Sequence, residues 1–251
     1  MFTWLVTAGY LAGNPLALSR QRARKAKPRI TRFLEADLWQ AVKEYISTMP
    51  TETVAQRAHA VRARWLFSLL YTCGLRLSEV TGNTMGGFFC RRSPKGEERW
   101  WLDVLGKGDK LRMVPVTKEL MAELIRYRRE QNLPPLPLPG EDMPLLLPLR
   151  GEPRALTRSA VHEIIKGVFE QAAQRLCDST PETQLRADRL RAASAHWLRH
   201  TAGSAMATGD MDLRHVRDNL GHESLTTTSR YLHSEDDERH RETEEKHRMG
   251  W

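Results

Sequence analysis

Cysteine is scarce in this 251-residue sequence: there are three, Cys73, Cys90 and Cys177, and none forms a Cys-x-x-Cys pair. An odd number of widely spaced cysteines argues against a disulfide or zinc framework and fits reduced thiols in the cytoplasm. No apolar run approaches the length needed to cross a bilayer. The apolar start has no basic segment before it, so a secretory signal is not expected. The sequence predicts a cytoplasmic protein without membrane contact.

Charge, in contrast, is abundant and unbalanced. The chain carries 39 Lys and Arg against 31 Asp and Glu, a formal net charge of +8. A positive surface attracts polyphosphate, so nucleic acid is an expected partner. No carboxylate cluster of the kind that holds Mg²⁺ is evident, and neither a metal ion nor another cofactor is expected.

Helical spacing dominates the chain. Apolar stripes run through 38–46 and 65–70, and Gly74 is suited to end the second helix. Further helices are predicted over 2–12, from Thr117 to about Asn132, from Thr157 to about Leu176, and as a chain of short helices from about Ala192.

Two short segments, 99–105 and 111–116, have the composition of strands. The glycines of the intervening GKGDK sequence favour a tight hairpin turn with Lys107 at its tip. Residues 133–148 are rich in proline and predict a loop with a short strand at 145–147, and the polar residues 177–187 predict a second loop. The expected fold class is α+β, mainly α, with a small antiparallel sheet.

Several residues that support chemistry are scattered along this framework. Taken singly, each has an ordinary explanation: Arg76 can pair with Glu79, Lys107 can be a solvated turn residue, and Tyr231 can pack. His196 and His200 are spaced as in a zinc helix, which leaves a metal hydrolase open. That class needs Glu after the first histidine, however, and this sequence has Trp197 there.

The ordered set GLRLSE, LGKGDKLRMVPV, HWLRHT and LGHESLTTTSRYLH resembles the tyrosine recombinases, the phage-integrase, Xer and integron-integrase type of site-specific recombinase. The resemblance covers roughly residues 30–233. It implies the catalytic-domain fold of that family and six catalytic residues, Arg76, Lys107, His196, Arg199, His222 and Tyr231. It gives Glu79 a supporting role.

By this resemblance, Tyr231 attacks a DNA phosphodiester and stores the bond as a 3′-phosphotyrosine, without a metal ion or ATP. Arg76 and Arg199 would hold the phosphate oxygens, since guanidinium is planar, charged and bidentate. Lys107 would protonate the leaving oxygen and His196 would accept the tyrosine proton. His222 would hydrogen-bond the phosphate.

The resemblance also implies a domain organisation. Residues 1–28 resemble the last helix and basic linker of a DNA-gripping domain whose remainder is not in this sequence, so a fragment is expected. Residues 29–233 are the expected catalytic domain and 234–251 a charged tail. Compared with the family, 86–98 and 177–191 look like longer loops. The expected DNA contacts are Arg20, Arg22, Arg24, Lys25, Lys27, Lys110 and Arg112.

The expected partner is double-stranded DNA, bound by a monomer that forms a homo-tetramer on it. A mobile-element role fits the family. Two alternatives stay open: a DNA relaxase of the type IB topoisomerase kind, which shares the chemistry, and a DNA-binding remnant that no longer cuts. The complete catalytic set argues against the remnant.

Overall fold

The structure, a computed structural model, describes residues 2–14, 33–106, 108–177, 180–209, 211–222 and 224–228. The chain divides into two units, Met1–Thr31 and Arg32–Trp251. Within the described ranges, none of the helices has the length and apolar character needed to cross a membrane.

Helix α1 (Phe2–Thr7), in the described part of the first unit, is shorter than the predicted helix over 2–12. The chain turns at Gly9, whose φ of 76° lies in the left-handed region and interrupts helical hydrogen bonding. The rings of Trp4 and Tyr10 stack across this turn, with centroids 6.2 Å apart. The predicted end of the helix at residue 12 was therefore too late.

The second unit is mainly helical with one small sheet, as predicted. Its helices are α2 (Ala36–Ser47), α3 (Val54–Cys73), α4 (Leu77–Gly82), α5 (Lys118–Glu130), α6 (Arg158–Leu176), α7 (Pro181–Ala192), α8 (Ala195–Thr208), α9 (Leu213–Leu220) and α10 (Leu225–Thr228). Its strands are β1 (Phe88–Arg92), β2 (Glu98–Leu105) and β3 (Leu111–Val116), and a 3₁₀ turn at Met85–Gly87 precedes β1.

Helix α3 lies at the centre of the core. A capping box begins it: the Thr53 hydroxyl accepts from the Gln56 backbone N–H at 3.1 Å, and the Gln56 side chain accepts from the Thr53 N–H at 2.9 Å. Gly74, with φ 56°, ends it as predicted. The predicted apolar stripe is confirmed, since four side chains are completely buried, those of Trp65, Leu66, Leu69 and Leu70. Helices α2, α5, α6 and α8 pack around them.

The sheet is antiparallel with strand order β1-β2-β3. Strands β2 and β3 confirm the predicted hairpin, and their last pair joins Leu105 to Leu111. Strand β1, within the segment 86–98, was not predicted. One face of the sheet buries Leu102, Val104 and Val114 in the core.

No strand forms at Leu145–Leu147, although the three side chains are buried. The Leu145 N–H donates to the Asn83 carbonyl at 3.3 Å beside an isolated bridge between Thr84 and Pro144, but no ladder continues from there, and side chains bind the next backbone groups. The Trp65 indole donates to the Leu145 carbonyl at 2.7 Å, and the Leu147 N–H donates to the Tyr127 hydroxyl at 2.8 Å. The predicted short strand was therefore wrong.

The predicted threonine caps of two helices are confirmed. The Thr117 hydroxyl accepts from the Leu120 N–H at 3.2 Å to begin α5, and the Thr157 hydroxyl accepts from the Ala160 N–H at 3.2 Å to begin α6. Helix α6 ends at Leu176, as predicted.

Helix α7 lies where the sequence predicted a loop. Thr180 caps it and Pro181 occupies its first position, a combination that favours helix initiation. Among its described side chains only Ala187 and Leu190 are buried, and the helix packs on α6. With so few apolar residues, the helical periodicity is not visible in the sequence. The predicted loop over 177–187 and the predicted longer loop over 177–191 were therefore wrong.

We predict that Leu190→Ala lowers the free energy of unfolding by about 2–5 kcal/mol, because it removes a buried side chain and leaves a cavity. Leu185→Ala on the same helix is the matched control, since Leu185 is 66% exposed. Urea denaturation of both variants measures the difference. Equal small losses would contradict the packing of α7 on α6.

Candidate functional site

The site forms where α4, β3, α8 and α9 meet beside the end of α3. Gly74 makes the approach possible: a Cβ at this position would lie 2.4 Å from the Leu220 side chain at the end of α9. Two residues later, Arg76 occupies the N-cap position of α4. The glycine that ends α3 thus places the first candidate arginine against α9.

Glu79 is the buried anion of the site, with 1% of its side chain exposed. It accepts four hydrogen bonds of 2.8 Å, from the backbone N–H and Nη1 of Arg76 and from Nη1 and Nη2 of Arg112. Burial alone would raise the pKa of the Glu79 carboxyl, but the hydrogen bonds and charge of the two arginines outweigh it and lower the pKa to about 2. Glu79 is therefore ionised at neutral pH.

Arginines satisfy three successive carbonyls at the carboxyl end of α9. Arg112 Nε donates to the Asn219 carbonyl at 3.2 Å, and Arg76 Nη2 donates to the Gly221 carbonyl at 3.2 Å. Between them, Arg199 of α8 donates to the Leu220 carbonyl. The three guanidiniums thus bind three consecutive residues, although the arginines come from distant segments of the sequence.

Arg199 is the most deeply buried of the three, with 3% exposure. Its second donor binds the Gly74 carbonyl, so the guanidinium bridges the ends of α3 and α9. The Leu34 N–H donates to the Thr201 hydroxyl on the same helix at 2.9 Å, which ties α8 to the chain entering α2.

Three histidines lie beside these cations. Nε2 of His196 and Nε2 of His200 are 2.8 Å apart, so one ring donates to the other. Burial lowers the pKa of His196, and the charges of Arg199 and Arg76 lower it further. His222 follows Gly221, and its Nδ1 lies 3.1 Å from the buried Thr228 hydroxyl.

The pKa of His222 falls to about 4, through burial first and then the charges of nearby groups, Arg199 before Arg76. At neutral pH the ring is uncharged. It can therefore both donate and accept a hydrogen bond.

Asn83 joins α4 to the hairpin. Its amide nitrogen donates to the Glu79 carbonyl at 2.9 Å and to the Leu105 carbonyl at 3.2 Å, while its amide oxygen accepts from the Leu105 N–H at 2.8 Å. The turn then closes with a bond from the Gly106 N–H to the Lys110 carbonyl at 2.9 Å. The predicted turn is confirmed in its described residues.

A cleft of about 760 Å³ opens over this network. The charged and polar lining residues include Arg76, Lys110, Arg112 and His222, and one carboxylate, that of Asp218, which pairs with Arg217. The apolar lining residues include Trp101, Leu111 and Met113. The arrangement suits an anion that carries apolar groups.

Of the predicted catalytic set, the structure brings together Arg76, His196, Arg199 and His222, with Glu79 between Arg76 and Arg112. Lys107 and Tyr231 lie outside the described residues, as do five of the expected DNA contacts, Arg20, Arg22, Arg24, Lys25 and Lys27. Gly108, after Lys107, has φ 72°, and α10 ends at Thr228, three residues before Tyr231.

Sequence reasoning missed the buried position of Arg112, whose side chain is 12% exposed. A signal was present, because side chains alternate along a strand and Arg112 shares its face of β3 with the core residue Val114. Asn83 carried no comparable signal, since Leu105, its partner in β2, lies 22 residues away in the sequence.

We predict that His222 makes the protein less stable in acid. Its pKa of about 4 in the folded protein lies below the unfolded value of about 6.5, so the unfolded chain binds the extra proton. The stabilisation is complete above about pH 6.5 and is lost as pH falls towards 4, by roughly 2 kcal/mol after allowing for partial exposure.

Urea denaturation from pH 7 to pH 4 measures this effect. As the pH is lowered from 7 to 4, the free energy of unfolding should decrease less in His222→Asn than in the wild type. His162→Asn, on α6, is the control for the replacement of a histidine by asparagine. An unchanged dependence in His222→Asn would show that the ring titrates normally.

The chain is similar to known proteins over most of its length. A profile of the phage integrase family matches residues 40–238. Tyrosine recombinase XerC of Xylella fastidiosa is 32% identical over 232 residues, which are 92% of this chain and 65% of that protein. Tyrosine recombinase XerD of Neisseria meningitidis serogroup B is 28% identical over 234 residues, 93% of this chain and 68% of that protein. The chain thus spans about two thirds of the length of these relatives.

Solved structures show the same fold. The XerH site-specific recombinase in its post-cleavage complex with palindromic difH substrate has a TM-score of 0.63 at 21% identity, covering 89% of this chain and 56% of that one. The Tn1549 transposon integrase in complex with transposon right end DNA has a TM-score of 0.56 at 16% identity, covering 98% and 76%. With a family profile that matches most of its residues and the fold of these recombinases, this chain belongs to the phage integrase family.

Proposed function

We propose that this chain is the catalytic part of a site-specific DNA recombinase that cleaves and rejoins DNA through a 3′-phosphotyrosine at Tyr231. The observation that carries the proposal is the convergence of Arg76 and Arg199 on the adjacent carbonyls of Gly221 and Leu220. Two guanidiniums so close together are suited to one phosphate group. The family supports the same activity.

In the proposed reaction the Tyr231 oxygen attacks phosphorus, the bond from phosphorus to the 5′ oxygen breaks, and the displaced strand leaves as a 5′-hydroxyl. Arg76 and Arg199 stabilise the charge on the non-bridging oxygens. His196 accepts the tyrosine proton. This role is supported by its lowered pKa, which keeps the ring neutral and able to accept at pH 7.

The remaining roles complete the reaction. Lys107 supplies the proton to the 5′ oxygen, and His222 hydrogen-bonds the phosphate. The rejoining step is the same reaction in reverse, with a different 5′-hydroxyl as the attacking group, so the energy of the bond is conserved and neither ATP nor a metal ion takes part.

We extend the proposal to domains and partners. Residues 1–28 would be the end of a DNA-gripping domain and its basic linker, 29–233 the catalytic domain, and 234–251 a tail. The division of the chain after Thr31 supports the first boundary. The substrate would be double-stranded DNA, bound in the cytoplasm by a protein that is monomeric when free and tetrameric on DNA. The net charge of +8 supports DNA binding.

A suicide DNA substrate tests the proposal. It carries a nick that lets the cleaved end diffuse away, and it is a pool of flanking sequences from the source element. We expect the wild type and Tyr10→Phe, whose tyrosine is 75% exposed, to give a slower protein–DNA band on a denaturing gel with EDTA present. Tyr231→Phe should give none, because the nucleophile is missing. Arg76→Ala should slow band formation by about 10²–10³.

Other results would change the assignment. A band that survives Tyr231→Phe would identify a different nucleophile. No band from the wild type, with DNA binding intact, would leave two assignments: a fragment too incomplete to cleave, or a non-cutting DNA-binding protein. Relaxation of a supercoiled plasmid without a recombination site would favour a relaxase of the type IB topoisomerase kind.

A further inference from the structure

Three segments of the site meet at one guanidinium, that of Arg112 on β3. Nη1 and Nη2 donate to the two carboxylate oxygens of Glu79 on α4 at 2.8 Å, and Nε donates to the Asn219 carbonyl on α9 at 3.2 Å. These bonds use three of the five N–H groups of the guanidinium. Arg112 therefore joins its own hairpin to α4 and α9.

Two glycines, Gly221 and Gly106, lie so close to the Arg112 side chain that no larger residue fits at either position without a shift. A Cβ at Gly221 would lie 2.9 Å from Cδ and 3.0 Å from Nε of Arg112, and one at Gly106 would lie 3.2 Å from Nη1. All three distances are shorter than an ordinary van der Waals contact. Gly106 begins the turn that contains Lys107, and Gly221 precedes His222. The two segments are thus packed directly on Arg112.

The charges around Glu79 give Arg112 a second effect. Glu79 Oε1 accepts from Nη1 of both Arg76 and Arg112, so two cations share one anion. The three side chains together carry a net charge of +1. Without Arg112, the Glu79 charge would be balanced by Arg76 alone and the group would be neutral. Arg112 therefore keeps Arg76 electrostatically available to an anion.

Exposure separates the two arginines that contact Glu79. Arg76 has 35% of its side chain exposed, and Arg112 has 12%. Both side chains line the cleft, but Arg76 exposes the larger fraction of its surface and Arg112 is mostly covered by its neighbours.

We propose that Arg112 is a positioning residue that sets the distances between Arg76, the β2–β3 turn and the Gly221–His222 segment, and that it does not contact the DNA phosphate. Its effect on cleavage rests on the recombinase function proposed above. The proposal replaces the DNA contact expected for Arg112 and leaves Lys110 as the expected contact of this hairpin.

Arg112→Lys distinguishes a positioning role of Arg112 from a role that requires only its positive charge. A lysine keeps the positive charge and would satisfy a phosphate contact, but a single ammonium cannot bridge both Glu79 oxygens and the Asn219 carbonyl. We expect affinity for duplex DNA to stay within about twofold of wild type, while covalent-complex formation slows at least about tenfold, since small displacements of catalytic groups are costly. Wild-type cleavage by Arg112→Lys, or cleavage and binding falling in parallel, would overturn the proposal.

Gly106→Ala tests the same contact without removing a charged group. Its new Cβ would push on Arg112 Nη1 and on the Glu79 carboxylate, which lies 3.3 Å away. Gly82→Ala at the end of α4 is the matched control, because a Cβ there meets no atom within 4 Å. Slower cleavage is expected in Gly106→Ala only. Equal rates in the two variants would contradict the proposal, and this comparison still decides it if Arg112→Lys fails to fold.

Hydrogen exchange in the DNA-free protein provides a readout that does not depend on activity. If Arg112 joins the two segments, then Gly106→Ala, and Arg112→Lys where it folds, should lose protection together at 106–111 and 219–222, by about tenfold or more. Loss in one segment only, or in neither, would overturn the proposal. A wild type that forms no covalent complex but shows this coupled exchange would separate the two proposals: the positioning role would stand, and the recombinase function would be left without support from this chain.

Discussion

The carboxyl end of a helix leaves its last carbonyls without partners inside the helix. In α9 the unpartnered carbonyls of Asn219 and Leu220, and the Gly221 carbonyl that comes next, accept from guanidiniums of β3, α8 and α4. Hydrogen bonds from charged donors contribute about 1.5–3 kcal/mol each, and the partial negative charge of the helix end favours cations. The site therefore depends on the carboxyl end of α9, which binds arginines from three different elements.

Crowded cations repel one another, and the site contains groups that offset this repulsion. Glu79 supplies a full negative charge between Arg76 and Arg112, and its pKa of about 2 keeps it ionised throughout the physiological range. His196 and His222 respond in the opposite sense: burial and the same cations lower the pKa of each ring, because they disfavour a further positive charge. The electrostatic field of the site is thus constant near neutral pH, while the histidine rings remain available for proton transfer.

Much of the fold could be predicted from local signals. The threonines that begin α5 and α6, the glycine that ends α3, and the alternation in β2 and β3 act over a few residues, so a single sequence reveals them. Helix α7 escaped prediction because only two of its described residues are buried, and α1 was predicted too long because a left-handed Gly9 interrupts an apolar stretch.

The site was harder to predict than the fold. Motif resemblance identified its candidate residues, but their partners depend on contacts across more than a hundred residues, such as that of Arg112 with Asn219. Because side chains alternate between the two faces of a strand, the core residue Val114 could have indicated that Arg112 lies on the same, core-facing side of β3. No local pattern reveals that its acceptors come from α4 and α9.

At the end of β2, the side-chain amide of Asn83 makes the two hydrogen bonds that the backbone of a neighbouring strand would otherwise make. Because it binds both the N–H and the carbonyl of Leu105, the peptide groups on both sides of this residue are held just before the turn. The covalent chain then limits the reach of the turn: a residue two positions beyond this anchor lies within roughly 7 Å of it, at about 3.3–3.6 Å per residue. In the proposed reaction the ammonium of Lys107 is thus a tethered acid, whose reach is limited by the two residues of chain after Leu105 together with the length of its own side chain.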